Sequence, residues 1–304
     1  MAAHDSKKLI AKIVMKNPLH AEFCADGATQ RRVTILRNER IARDTYRLRF
    51  EAPEIARRIT PGQFVMVRLS GCDDPLLGRP FALYDTVLST SGEPIGLDIV
   101  YLVLGKMTAR LSAMQAGQPL DIWGPLGNGF PTSAADHLML VAGGIGQTPF
   151  PAVAQEALGQ RVYGDPPRVA PRAERVTLLY GARNASYLAG VDDFERIGVR
   201  LQISTDDGSR GHHGFVTDLL RTELANLPVV PQVHCCGPEP MMEKVAEICR
   251  QGSVPCQVSL ETPMACGIGI CFSCVAKIRD AGGQWDYKRT CVEGPVFEAS
   301  RIEW

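Results

Sequence analysis

LMLVAGGIGQTPF, residues 138–150, is the stretch on which the reading of the fold turns. It opens with an unbroken apolar run, passes through a glycine turn, and enters a helical pattern with Pro149 at its start, where proline suits the first turn. A strand with no polar alternation is buried on both faces, the condition of a parallel sheet covered by helices. The glycines set a helix N-terminus at the C-terminal end of that strand, where open α/β sheets bind nucleotides. The spacing departs from G-x-G-x-x-G, so a generic dinucleotide fingerprint is not available, and a tight strand-to-helix turn explains the same residues.

Downstream the texture persists. VTLLY, VRLQIS and VHCC are short apolar strands separated by helical patterns, the last of which, PMMEKVAEIC, places Met242, Val245, Ala246 and Cys249 on one core-facing side. VHCCGPEPMM repeats the strand-to-helix edge at Cys236, Gly237 and Pro238, and two such edges make a crevice. Between Leu158 and Val176 lies a Pro- and Arg-rich stretch without period, read as an inserted loop over 159–175. Upstream, from Arg31 to about Asp136, RRVTIL, TYRLRF, QFVMVRL and LDIVYLV alternate between turn signals such as Pro61-Gly62 and Ser91-Gly92. That spacing predicts a small antiparallel barrel. Residues 1–30 show no sustained period and read as an N-terminal extension. The expected organisation is therefore an extension over 1–30, a β barrel over 31–136, a parallel α/β domain over 137–254, and a cysteine-rich segment over 255–304.

Composition agrees with several cores and excludes some partners. The 304 residues are 45% hydrophobic, with 33 Lys plus Arg against 33 Asp plus Glu. Balanced charge offers no global field for nucleic acid or an anionic membrane. No apolar run approaches the roughly 20 residues of a membrane helix, and MAAHDSKKLIAK lacks the apolar core of a secretion signal, so the expected location is the cytoplasm.

Of 10 cysteines, four fall from residue 266 onward. CGIGICFSC spaces Cys266, Cys271 and Cys274 as C-x4-C-x2-C, and Cys291 follows after sixteen intervening residues. This is the plant-type pattern for a 2Fe-2S cluster. Gly267 and Gly269 permit the tight loop that three thiolates need, and Ala265, Ile268 and Ile270 are expected to shield it. Structural zinc, the competing explanation, typically uses two short hooks rather than one loop with three ligands. Cys24, Cys72, Cys235, Cys249 and Cys256 read as small buried hydrophobes, and His212-His213 as a solvated pair.

Three further stretches are ambiguous singly. GRPFALY, residues 78–84, sets Arg79 to meet a diphosphate beside the flat faces of Phe81 and Tyr84, though an arginine in a barrel turn is ordinarily solvated. GKMTARLSAM begins with Gly105 and Thr108 ahead of a helix, suiting either phosphate or simple capping. GPLGNGF, residues 124–130, approaches a ring or merely turns.

Taken in order, RPFALY, GKMT, GPLGNGF, AGGIGQTPF, CGPEPMM, MACGIGICFSC and CVEGPVF make residues 31 to 304 resemble the ferredoxin reductase family. VSLETPMACGIGICFSCVAK and YKRTCVEGPVF look particularly like the electron-transfer subunits of NAD-linked, type B dihydroorotate dehydrogenases. The resemblance implies FAD in the barrel, with Arg79, Pro80, Phe81 and Ala82 at the flavin motif, Val100, Tyr101 and Leu102 on the next strand, and Met107 and Thr108 at the diphosphate. It implies NAD across Gly143, Gly144, Gly146, Thr148 and Pro149 on one edge and Cys236, Gly237 and Pro238 on the other. Ala82 stands where the family often has a hydroxyl, and Met107 where glycine is common.

The implied activity is electron transfer in pyrimidine biosynthesis. Electrons from an FMN-containing catalytic subunit that oxidises dihydroorotate pass through 2Fe-2S and FAD to NAD. A barrel for the FMN chemistry takes about 250 residues of its own, so the catalytic subunit is separate, and the family implies a heterotetramer of two subunit types. Reductase subunits serving hydrogenase, sulfur reduction or ferredoxin-NADP exchange resemble the same order of motifs. A non-enzymatic redox sensor and a zinc-stabilised docking module are the alternatives of other kinds. Arg183 and Arg210 leave NAD and NADP both open.

Overall fold

The computed structural model describes residues 25–132 and 134–304. Cys24 and most of the expected N-terminal extension lie outside the described residues. Strand formation begins at Thr29, where alternating residues first find a partner strand. Seven strands follow: β1 (Thr29–Ala42), β2 (Thr45–Glu51), β3 (Phe64–Leu69), β4 (Arg79–Ala82), β5 (Asp85–Leu88), β6 (Pro94–Leu102) and β7 (Pro119–Leu126). They form one antiparallel sheet in the order β4-β3-β7-β1-β2-β6-β5. Period-2 alternation turns Ile35, Leu48, Val65, Val67, Leu97 and Ile122 into a common core. Two short helices, α1 (Pro53–Arg58) and α2 (Lys106–Ser112), add Ile55, Met107 and Leu111 to it. The sheet curls into a half-barrel: Phe81 on one edge strand comes within 5.8 Å of the Tyr101 ring on β6, and the Tyr84 amide donates to the Asp98 carbonyl as the chain crosses between edges.

The second layer is the expected α/β unit. Its elements are β8 (His137–Gly143), α3 (Phe150–Ala157), β9 (Arg175–Ala182), α4 (Val191–Ile197), β10 (Arg200–Thr205), β11 (His212–His213), α5 (Val216–Asn226), β12 (Gln232–Cys236), α6 (Glu239–Gln251) and β13 (Cys256–Ser259). A hairpin of β14 (Val275–Arg279) and β15 (Trp285–Arg289) precedes β16 (Val296–Glu298). The sheet order is β11-β10-β9-β8-β12-β13-β16, parallel except for β16. Every residue of β8 is buried. Met139 and Val141 pack toward α5 and α6, and Leu138 and Leu140 toward α3 and α4, which is why no polar alternation survives in the sequence. Met242, Val245, Ala246 and Cys249 are buried on α6 as its period requires. The cysteine-rich segment begins and ends inside this sheet, at β13 and β16, with the cysteine loop and the hairpin between.

Residues 159–175, featureless as sequence, strap the two layers together. Tyr163 is buried in the barrel core and donates its hydroxyl to Asp85 at 2.9 Å, where Arg161 (3.1 Å) and Gln155 of α3 (2.9 Å) converge on the same carboxylate. Arg168 pairs with Glu156 and donates to the Phe130 carbonyl at 2.7 Å. A second tie joins Asp193 at the start of α4 to Arg47 and to the Tyr84 hydroxyl, which donates at 2.6 Å. Asp85→Ala strands four donors at a half-buried site, the Thr86 amide at 2.7 Å being the fourth, and is expected to cost about 2 kcal/mol. It should also raise amide exchange across 159–175; urea unfolding with hydrogen exchange measures both, and unchanged exchange there would mean the loop is held by something else.

Candidate functional site

The cysteine loop lies on the flank of the barrel. Cys274, Cys291 and Val292 share a core with Phe64, Met66 and Leu126 of β3 and β7. Gly267 takes φ +73°, and a Cβ there would meet Met66 Cγ at 2.6 Å, so the loop can sit this close only with glycine. Two of the four sulfurs are paired. Those of Cys274 and Cys291 are 3.2 Å apart, close enough to share one proton, which draws the Cys274 thiol down to about 6 and pushes its partner up. Cys271 is exposed and also drawn down to about 6, first by the Ser273 hydroxyl 3.1 Å away.

Among the described residues, no three His, Cys, Asp or Glu side chains converge on a point as a single ion requires. Four cysteine sulfurs on one flank of the barrel, Cys274 and Cys291 buried and Cys271 exposed, would instead suit a two-iron cluster, to which they would supply the protein ligands. This donor set fits an iron–sulfur cluster better than a mononuclear zinc. Ile268 and Ile270 lie on the solvent side of the loop, 40% and 74% exposed, because the core beneath is already filled by Met66 and Leu126. Their apolar faces, with Phe272 at 62%, crowd the exposed edge beside Cys271.

Trp123, on β7, carries no motif in the sequence, yet it joins this loop to the predicted flavin turn. Its indole N–H donates to the Cys266 carbonyl at 2.8 Å, while the far edge of the ring fills the space a side chain at Gly78 would occupy. Gly78 directly precedes the strand of Arg79, Pro80, Phe81 and Ala82.

The barrel candidates divide. Arg79 is exposed, its guanidinium folded onto the Leu77 and Gly78 carbonyls at 3.1 and 3.0 Å, and Pro80, Phe81 and Ala82 are half-buried beside it. Leu102 lines the interdomain cavity, but Val100 and Tyr101 are buried, with the Tyr101 hydroxyl donating to Asn38. The Met107 side chain belongs to the barrel core, so only its backbone is available to a ligand. Thr108 caps α2: its hydroxyl accepts from the Leu104 and Gly105 amides and donates to the Gly105 carbonyl. Tyr84, expected to offer a flat face, is instead engaged by Asp193 and covered by Arg47, 5.0 Å from its ring.

A cavity of about 990 Å³ opens between the two layers. Thr45 and Leu102 form its barrel wall, and Gly143, Gly144, Gly237 and Pro238 its α/β wall. The two glycine edges meet where the strand order reverses, between β8 and β12, the switch point at which α/β sheets bind ligands. Gly146, Thr148, Pro149 and Cys236 are buried behind this wall and do not line it. Arg183 reaches the cavity and Arg210 does not. Glu261, two residues past β13 and absent from the sequence argument because nothing marks a lone acid there, lines it too.

Three family models match the chain. Residues 32–130 match an oxidoreductase FAD-binding domain, 140–247 an oxidoreductase NAD-binding domain, and 261–303 the iron-sulfur cluster binding domain of dihydroorotate dehydrogenase B. The electron transfer subunit of dihydroorotate dehydrogenase B (NAD(+)) from Caldanaerobacter subterraneus subsp. tengcongensis is 34% identical over 268 residues, 88% of this chain and 96% of that protein. The same subunit from Desulforamulus reducens is 35% identical over 266 residues, 87% of this chain and 94% of that one. A solved structure of an NADH-dependent reduced ferredoxin-NADP oxidoreductase superposes with a TM-score of 0.74 at 29% identity, covering 90% of each chain. The cytochrome P450 reductase GcoB of Amycolatopsis, at TM-score 0.58 and 22% identity over 74% of this chain and 66% of that one, shares the fold.

Proposed function

Since the chain belongs to the electron-transfer subunits of dihydroorotate dehydrogenase B, with FAD-, NAD- and iron–sulfur-binding domains, we propose that it carries electrons from an FMN-containing catalytic subunit to NAD. The observation that carries this reading is Trp123, which spans from the turn before Arg79 to the loop of Cys266, Cys271, Cys274 and Cys291. When bound, FAD supplies the exchange between the two-electron hydride of nicotinamide and the single electrons of a 2Fe-2S cluster.

Each part of the chain has a task in that transfer. Gly143, Gly144, Gly237 and Pro238 admit the nicotinamide dinucleotide to the cavity, and the barrel wall at Leu102 brings it toward the flavin. The β4 segment from Arg79 to Ala82 holds the flavin, with the backbone of Met107 and the α2 start nearby. Cys266, Cys271, Cys274 and Cys291 hold the cluster against β3 and β7, and Ile268, Ile270 and Phe272 around Cys271 give the partner subunit an apolar edge to cover. Two copies of each subunit form the assembly.

No helix among the described residues is long and apolar enough to cross a membrane, and we place the complex in the cytoplasm. Anaerobically purified protein should contain flavin and two irons per chain, reduce an artificial acceptor with NADH, and co-purify with an FMN-containing dihydroorotate dehydrogenase. A colourless, zinc-bearing protein, or one that activates only a different oxidoreductase, overturns the reading.

A further inference from the structure

Arg289, two residues before Cys291, reaches back over the cysteine loop. Its Nη1 donates to the Gly269 carbonyl at 3.0 Å, and its guanidinium lies 5.2 Å from the centre of the Phe272 ring. Gly269 and Phe272 flank Cys271, so one side chain grips the loop on both sides of its most exposed ligand. The side chain is only 18% exposed. It is held in turn by Glu293, whose carboxylate accepts from the Arg289 amide at 2.8 Å and from Nε at 3.3 Å. At Gly269 the loop is pressed against the residue that follows Cys291: a Cβ there would stand 3.1 Å from Val292 Cγ1 and 3.5 Å from Arg289 Nη1. Arg289 thus fixes the loop between Cys266 and Cys271 against the segment that carries Cys291.

We propose that Arg289 is a positioning residue that sets the reduction potential of the cluster, by holding the loop at Gly269 and Phe272 against the Cys291 segment and by placing a positive charge over it. The assignment rests on the functional reading above and specifies how its cysteine site is tuned. One electron added to a centre bound by four thiolates adds one negative charge, borne largely by the sulfurs. A nearby cation stabilises the reduced form and raises the potential. Of the neighbouring charges, Glu293 offsets part of the Arg289 field, while Lys288 lies 3.6 Å from Glu293 and 3.6 Å from the outlying Asp286. A lysine at 289 keeps the charge but cannot reproduce the fork to both Gly269 and Glu293, so it should restore the potential only in part.

The test is an anaerobic redox titration of the full chain, wild type against Arg289→Gln and Arg289→Lys, followed by the electron paramagnetic resonance signal of the reduced cluster. Arg289→Gln should shift the midpoint downward by about 59 mV, a tenfold change in the reduced-to-oxidised ratio for a one-electron couple, with Arg289→Lys between it and wild type. Identical midpoints in all three overturn the assignment and leave the functional reading intact. Loss of the cluster from both variants also overturns it, making Arg289 a residue of cluster assembly only. A wild-type protein that gives no such signal after reconstitution with iron and sulfide overturns the functional reading, and this one with it.

Discussion

Cys271→Ser should produce a protein that still accepts hydride from NADH and reduces a small artificial acceptor, but passes no electrons to its partner subunit above background. Of the four cysteines proposed as ligands, Cys271 is the exposed one, whereas Cys274 and Cys291 are buried against Phe64, Met66 and Leu126. Replacing either buried thiol damages the core as well as the site; a surface change at Cys271 should alter the stability of the cluster-free chain by no more than about 0.5 kcal/mol. The loss is then attributable to ligation. Its size should exceed the roughly 10–100-fold that disturbing residues behind a metal ligand costs, because a ligand itself is removed. Iron content and visible absorption report the cluster, flavin fluorescence reports retention of FAD, and the two acceptor assays separate the first half of electron flow from the second. Full partner-linked turnover in a variant without iron would mean that electrons leave from the flavin, and the role of the cysteine loop would have to be abandoned.

That experiment tests what the sequence displayed best. The iron–sulfur segment was legible because three of its cysteines are close in the chain, at C-x4-C-x2-C, so their spacing carries the pattern of the domain. The α/β layer was legible for a similar reason: β8 is a local run whose burial on both faces leaves no alternation to misread. Thr108 was ambiguous between cap and phosphate ligand, and its hydroxyl proves to serve α2. Trp123 was invisible because its partners, Gly78 and Cys266, lie far from it in sequence and join only when the barrel flank receives the cysteine loop. The same holds for 159–175. Arg161 and Tyr163 look like irregular loop residues until Asp85, on another layer, supplies the acceptor they share.

Among the glycines of the β8 turn, sequence could not distinguish those that make room for a ligand from those that make room for the protein, and the two classes predict different mutants. A Cβ on Gly146 would stand 2.3 Å from the Cys236 carbonyl oxygen and 2.6 Å from Gly237 Cα, all of it backbone that cannot rotate aside. Gly146→Ala must therefore push β12 and the Gly237 edge away from the β8 turn, moving the walls of the cavity apart. Overpacking commonly costs about 1–3 kcal/mol; with backbone as the obstacle in the middle of a parallel sheet, the upper end of that range is expected, with a rise in the KM for NADH of at least tenfold. Gly144 is the contrast. It lines the cavity and takes φ +54°, and a Cβ there would have nothing within 4 Å. Gly144→Ala should cost only the left-handed backbone term of about 1–2 kcal/mol, so its effect on NADH reports crowding of the site itself. Urea unfolding and NADH titration of the two variants, with FAD and iron content as controls, separate them. Should Gly146→Ala prove as stable as the parent, the close approach of β8 and β12 would not be what shapes the crevice, and Gly146 would return to the ligand-facing role first expected of it.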